Sequence, residues 1–226
     1  MFVREVDMAA PVARWLERVG GSCVGHEVTV GYGVADLVAG LGDEARLRNR
    51  RRQARPVAKS IQLAVLDFCT SFRTLDDLRE WAPRGLSSLR REAIDPLIDQ
   101  GLLVLAGSRY RTRVRPKDPF DELIAVELKL RDARRGIAQA TAYRTFADRS
   151  YLALPRERVR TEALGAARQA GVGLLAVGSN TVEILVDAPT QSTSTPARRR
   201  IASERVLEAS MDSSRLGGSQ APSLAV

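Results

Sequence analysis

At 226 residues the chain is long enough to bury one good core, or one core plus a small satellite. Its 44% hydrophobic content fits an ordinary globular protein, and no apolar run approaches the length of a membrane span. A formal charge of +8 and an isoelectric point near 10.3 point to a polyanionic partner, most simply nucleic acid, or else to the basic bias of an arginine-rich proteome.

Arg4, Glu5 and Asp7 open the chain with no apolar stretch behind them, so no secretory signal is expected. Cys23 and Cys69 lie far apart and lack Cys or His companions, which excludes a zinc site and a disulfide framework and suits a reducing cytoplasm. The stripe Val12, Trp15, Leu16, Val19 predicts a first helix. Pro11 is comfortable only in a first turn, so this helix starts near Met8, or starts earlier and bends. A hairpin follows, and its second strand, residues 34–39, carries Asp36 inside an apolar run. His26, the sole histidine, falls in the strand before it and reads as a hydrogen-bonded residue near the surface.

A long segment then interrupts the pattern. It opens on residues 46–55, which hold six arginines in ten positions, and closes on the Pro-bearing linker of residues 115–119. The arginine run suits either phosphate contact or a solvated linker helix. Three helical patterns lie between. The first follows Ile61, Ala64, Val65, Phe68 and Cys69. The second runs through Leu75, Leu78 and Trp81, with Thr74 as N-cap and Asp77 at the capping-box position. The third runs Leu86, Leu89, Ala93, Leu97, and Pro96 inside it should kink or shorten it. Residues 102–105 and 110–113 then flank a turn and predict a hairpin.

The next strand carries the triplet Glu127-Leu128-Lys129 within the apolar run 123–130. Alternate side chains of a strand share a face, so Glu127 and Lys129 project together and Val126, Leu128 and Leu130 project oppositely. An acid and a base on an apolar strand are expensive to bury unless paired, hydrogen-bonded or bound to metal. Only three of the 35 basic residues are lysine (Lys59, Lys117, Lys129), so a lysine here suggests that a compact point charge is wanted rather than a guanidinium fork. Beyond it come a helix over about 134–147, a strand at 151–154, a helix over about 157–170, and strands at 173–177 and 182–186. From residue 189 the chain turns to Thr, Ser, Pro and Arg, which predicts a largely disordered tail over 189–226, with room for a short helix at 201–211.

Asp36, Glu127 and Lys129 resemble the restriction-endonuclease-like, or PD-(D/E)XK, nuclease superfamily, whose pattern is an Asp at a strand end followed by an acid-X-Lys triplet on the neighbouring strand. The order of elements resembles it as well, over residues 5–40 and 120–187. Where the family often has proline before the aspartate, this chain has Ala35. The resemblance implies an α/β fold with a restriction-endonuclease-like mixed sheet flanked by helices, formed by residues 1–41 and 119–188. It further implies Mg²⁺ or Mn²⁺ on Asp36, Glu127 and the Leu128 carbonyl, with Glu5 as an accessory acid and Lys129 orienting or activating water. A solvated N-terminal charge is the plainer reading of Glu5, and a buried salt bridge is the plainer reading of Lys129. Gln139 and Tyr143, one helical turn apart, resemble the extra motif of RecB-type members, against the simpler reading of a polar residue plus a core tyrosine.

The inserted segment, residues 56–114, resembles a winged helix-turn-helix, with residues 86–99 as recognition helix. Arg84, Ser87, Ser88, Arg90 and Arg91 would then reach bases or phosphates, and Arg109 and Arg111 would sit on the wing. Such modules also bind proteins. The expected function is a metal-dependent DNA nuclease, in repair or restriction, working in the cytoplasm with DNA as partner, no membrane, and a homodimer left open. The alternative is a non-catalytic DNA-binding regulator or adaptor on the same scaffold.

Overall fold

The structure is a computed structural model and describes residues 2–31, 33–82 and 85–217, with side chains as far as residue 211. The chain divides into two compact units, Met1–Glu44 with Phe120–Val226, and Ala45–Pro119.

The first unit is an α/β layer structure. A short 3-10 turn, Glu5–Met8, leads into helix α1 (Ala9–Arg18), and Pro11 sits in its first turn, where no intrahelical donor is missed. Strands β1 (Gly21–Val30) and β2 (Gly33–Leu41) form the hairpin. After the insertion come β6 (Glu122–Leu128), α7 (Ala133–Tyr143), β7 (Arg149–Pro155), α8 (Thr161–Ala170), β8 (Gly173–Val177) and β9 (Val182–Val186). The sheet order is β1-β2-β6-β7-β8-β9. Only the β6–β7 and β7–β8 pairs are parallel, so the sheet is mixed.

The middle strands are apolar on both faces because helices cover both. On one face Val12, Trp15 and Leu16 of α1 pack with Leu37, Val126, Leu128, Tyr151 and Leu175. Trp15 meets the Tyr151 ring edge-on at 5.4 Å. On the other face Ile137 and Ala140 of α7 and Ala163 and Ala167 of α8 pack with Leu152, Leu154 and Leu174.

Over its described residues the tail is more ordered than expected, and the short helix expected at 201–211 is part of a longer one; residues 218–226 lie outside the described residues. Pro196–Gly217 form a 22-residue helix, α9, that packs on β1 and β2. Ala202, Val206 and Leu207 are fully buried, and Arg199 binds the Asp148 carboxylate and the carbonyls of Phe120 and Asp121. Ser- and Arg-rich composition argues against a core only when no other surface is offered, and β1 offers one. A Cβ on Gly25 would lie 2.8 Å from Val28 Cγ2 within the hairpin, while the Val206 Cα of α9 stands at an ordinary contact distance of 3.6 Å.

The second unit contains α2 from Glu44–Gln53, α3 (Ser60–Phe68), β3 (Arg73–Thr74), α4 (Leu75–Trp81), α5 (Leu86–Leu89), a π-helical segment (Arg90–Ile94), α6 (Asp95–Asp99), β4 (Leu103–Ala106) and β5 (Arg109–Thr112). Its antiparallel sheet has the order β3-β5-β4. The Thr74 hydroxyl accepts from Asp77 N at 3.1 Å and the Asp77 carboxylate accepts from Thr74 N at 2.7 Å, a complete capping box. Leu66, Leu78, Leu89 and Leu97 are fully buried, and Phe68 stacks on Trp81 with centroids 4.5 Å apart.

Pro96 does not break its helix. It lacks the N–H that would reach the Glu92 carbonyl four residues back. The chain widens into the π segment just before it, and the buried Gln62 amide donates to the Glu92 carbonyl at 3.0 Å. Among the described residues no helix is long and apolar enough to cross a membrane.

Candidate functional site

The ladder between β2 and β6 runs from Leu41 opposite Glu122 to Leu37 opposite Val126, and stops there. One step further along the same register stand Asp36 and Glu127. Leu37 and Val126 both face α1, so by strand alternation Asp36 and Glu127 share the opposite face. The two strands separate at this point. The Leu128 N–H, next in line for a ladder bond, donates to Asp36 Oδ2 at 2.6 Å instead. A carboxylate therefore takes the place of a strand where the sheet forks, and the backbone of the Glu127-Leu128-Lys129 triplet borders the gap.

Glu127 is 2% exposed, a carboxylate deep in an apolar layer. Its partners explain how it is tolerated. Lys129 Nζ lies 2.6 Å from Oε1, and the Tyr143 hydroxyl lies against Oε2. The same hydroxyl is 2.8 Å from the Val34 carbonyl oxygen, so its one proton serves two acceptors. Tyr143 thus links α7 to the ends of both β2 and β6. Burial above all, then the bond to Glu127, push the Tyr143 phenol well above its usual range, which keeps it a neutral donor.

Glu5 joins from the turn before α1. Its Oε1 accepts from Leu130 N at 3.2 Å and its Oε2 is 3.7 Å from Lys129 Nζ. Lys129 therefore stands between two carboxylates. Burial is the largest single influence on its ammonium and acts to lower its pKa; the Glu127 hydrogen bond and the charges of Glu127, Glu5 and Asp36 together outweigh burial, and the net shift is upward. Asp36 is pushed up to about 6, chiefly by burial, against the lowering effect of the Leu128 N–H, with the Glu127 charge raising it further.

Gly136 completes the arrangement and has no chemistry of its own. A Cβ there would lie 2.5 Å from Leu152 Cδ1 and 2.9 Å from Lys129 Cγ. Its absence lets α7 settle against the lysine stem and brings Tyr143 to Glu127. An isolated glycine inside a helical pattern was the available sequence signal. Asp132 caps α7, accepting from Arg135 N at 3.0 Å.

The predicted residues are not all brought together. Asp36, Glu127, Leu128, Lys129, Glu5 and Tyr143 meet at the fork. Gln139 does not bond to any of them, and its Oε1 is buried without a hydrogen-bond partner. The donors for a cation are oxygens, which suits magnesium. Among the described residues, however, no group of three His, Cys, Asp or Glu converges as a ready cation site. Both Glu127 oxygens are engaged, by Lys129 and Tyr143. His26 lies exposed on β1, paired in register with Leu37.

In the second unit Ser87, Arg90, Arg91, Arg109 and Arg111 are exposed. Ser88 is turned to its own helix, donating to Glu92 Oε1 at 2.6 Å. Arg90 and Arg91 make long ion pairs with Asp95 at 3.8 Å and Glu92 at 3.7 Å, weak enough at the surface to exchange for another anion. Arg84 lies outside the described residues. Within the arginine run, Arg50 is buried and donates to the Ala54 carbonyl at 2.8 Å, so one of the six serves the fold of its own unit.

No family model and no curated protein matches the sequence. Among solved structures, the chain is similar to a protein of unknown function from Silicibacter pomeroyi, at 27% identity over 46% of this chain and 67% of that one, with a TM-score of 0.33. A likeness of that size carries no argument about function.

Proposed function

We propose that the chain is a metal-dependent DNA nuclease with a restriction-endonuclease-like core and an inserted winged-helix unit. One observation carries the reading. Asp36 and Glu127 share a sheet face at the point where β2 and β6 part, and the Asp36 side chain holds the Leu128 backbone. A structural salt bridge alone needs no second carboxylate pushed up to about 6 beside it.

Magnesium, when bound, supplies charge neutralisation on a phosphate and a water ionised near neutral pH. Asp36, Glu127 and the Leu128 carbonyl would hold it, with Glu5 alongside. Tyr143 fixes the Glu127 carboxylate through Oε2, which leaves Oε1 as the oxygen that Lys129 can release. Lys129, freed from Oε1, is the group placed to stabilise charge developing on the phosphate or to orient the attacking water. In the second unit, the order α3-β3-α4-α5 to α6-β4-β5 supports a winged-helix reading, in which Ser87, Arg90 and Arg91 lie on the recognition helix and Arg109 and Arg111 on the wing.

The occupied Glu127 oxygens favour a second reading, a non-catalytic DNA-binding regulator whose ion pair only holds the fork closed. One assay separates the two. Single-stranded, duplex and branched DNA are incubated with the protein, with and without Mg²⁺ or Mn²⁺. Cleavage that requires the cation is the expected result, and binding without cleavage under every condition supports the regulator.

A further inference from the structure

The outward face of the small sheet in the second unit has a composition that neither the helix contacts nor the core of that unit explains. Along β5, Tyr110 is 5% exposed and Thr112 donates its hydroxyl to the Leu66 carbonyl at 2.7 Å, so these two face the helices. Arg109 and Arg111 alternate with them and face solvent, and Arg113, next in the alternation, is exposed as well. Among the described residues no carboxylate forms an ion pair with any of the three. Asp77 feels the charge of Arg109, but its carboxylate is committed to the Thr74 N–H.

Beside this row stands an aromatic ring. β3 pairs Arg73 with Tyr110 and Thr74 with Arg109, which brings Phe72 opposite Arg111. The Arg111 guanidinium carbon lies 5.2 Å from the Phe72 ring centroid. Phe72 is 46% exposed, a large apolar side chain left on a polar surface. A guanidinium over a half-exposed ring, with another arginine on each side, presents both a phosphate row and a stacking platform.

We propose that this face binds one strand of unpaired DNA, with Arg109, Arg111 and Arg113 on successive phosphates and a base stacked on Phe72. The arginines recur every second residue, about 7 Å apart along the strand, on the scale of one nucleotide of an extended backbone. Charge complementarity selects a polyanion. The exposed ring selects an unpaired strand, because bases in a duplex already stack on one another and present no free face. The surface is separate from the α5 to α6 helix but includes Arg109 and Arg111 of the wing named above, to which it adds Arg113, Phe72 and the preference for an unpaired strand. It rests on the nuclease reading only in the choice of DNA as the polyanion, not on cleavage.

The test is fluorescence anisotropy of the full-length chain with a labelled oligothymidylate and with a labelled duplex, in EDTA so that no cleavage occurs. Phe72→Leu is expected to weaken oligothymidylate binding about tenfold and duplex binding far less, and Phe72→Trp to restore it. Arg109→Ala, Arg111→Ala and Arg113→Ala together are expected to remove about two units from the salt slope, at about 0.7 per phosphate on a single strand. All four side chains are partly or fully exposed, and an unchanged circular-dichroism melt verifies the fold of each variant. Oligothymidylate affinity that is unchanged in Phe72→Leu, or lost equally for duplex, overturns the single-strand assignment. Absence of any single-strand binding by the parent protein overturns it too. Neither result touches the nuclease reading, which is decided by cation-dependent cleavage.

Discussion

The Lys129 ammonium lies 2.6 Å from Glu127 Oε1, and its stem passes beneath Gly136. The triplet was legible in the sequence because strand period and lysine scarcity are both local signals. The fork at Asp36 was legible only through the family resemblance, since no local pattern says that two strands will part there. The Val34 carbonyl, which shares the Tyr143 hydroxyl with Glu127, was invisible because a backbone atom leaves no trace in residue identity. Two outcomes are expected at this scale. Lys129→Ala lowers cleavage by about a hundredfold or more, as loss of a charge-stabilising group does. Lys129→Arg is equally inactive yet melts near the parent temperature, because a planar fork keeps the ion pair but not the compact charge. Cleavage rates and melting temperatures of the two variants check this; a purely structural lysine gives an active Arg variant and an Ala variant destabilised by about 3–5 kcal/mol.

Asp36 adds a pH dependence with a definite sign. Its folded value of about 6 lies above the ordinary 3.8, so the folded state binds the proton more tightly than the unfolded chain does. Its contribution to stability is fully present below about pH 4 and is lost as pH rises through about 6. Asp36→Asn is expected to flatten this part of the profile and to exceed the parent in melting temperature above pH 6 in the absence of divalent cations. Parallel melts across pH 3.5 to 7.5 check it, and a variant with the parent's slope shows that the burial of Asp36 is not felt.

Among the elements, the segment around Pro96 shows where a propensity rule holds and still misleads. Proline does remove a helical bond, but the deficit passes to one carbonyl, and Gln62 on α3 supplies the donor. A side chain 30 residues away in sequence cannot be read from the helix itself. Gln62→Leu should destabilise the chain by about 1 kcal/mol by removing one donor from the Glu92 carbonyl. Pro96→Ala returns an N–H to that carbonyl, so Gln62→Leu should cost much less in that background. Denaturant unfolding of the two single variants and the double variant measures the coupling, and strict additivity contradicts the shared role. Helix α9 was legible only in part: a short helix at 201–211 was expected, and the longer helix that buries Ile201, Ala202, Val206 and Leu207 forms where β1 offers a surface for them.

For the molecule as a whole, the division into units was visible as an interruption between two matching halves of one sheet. The structure shows why such an interruption is tolerated: Asp121 N donates to the Leu41 carbonyl at 2.8 Å, so the chain leaves and returns at neighbouring points. Replacing residues 45–119 by a short linker should leave a core that still unfolds cooperatively, and loss of that transition shows the second unit to be integral.

If Asp36, Glu127 and Lys129 form a cleavage site and not only a closed ion pair, cutting needs the Glu127 charge. Side-by-side rates of DNA cleavage in Mg²⁺ by the parent chain and by Glu127→Gln decide this. Glutamine keeps the shape and the Tyr143 hydrogen bond but removes the charge, so the parent should cleave in a cation-dependent way and the variant should lose about a hundredfold or more. A parent protein that binds DNA but never cuts it, or a variant that cuts at the parent rate, would show that these residues are only an ion pair.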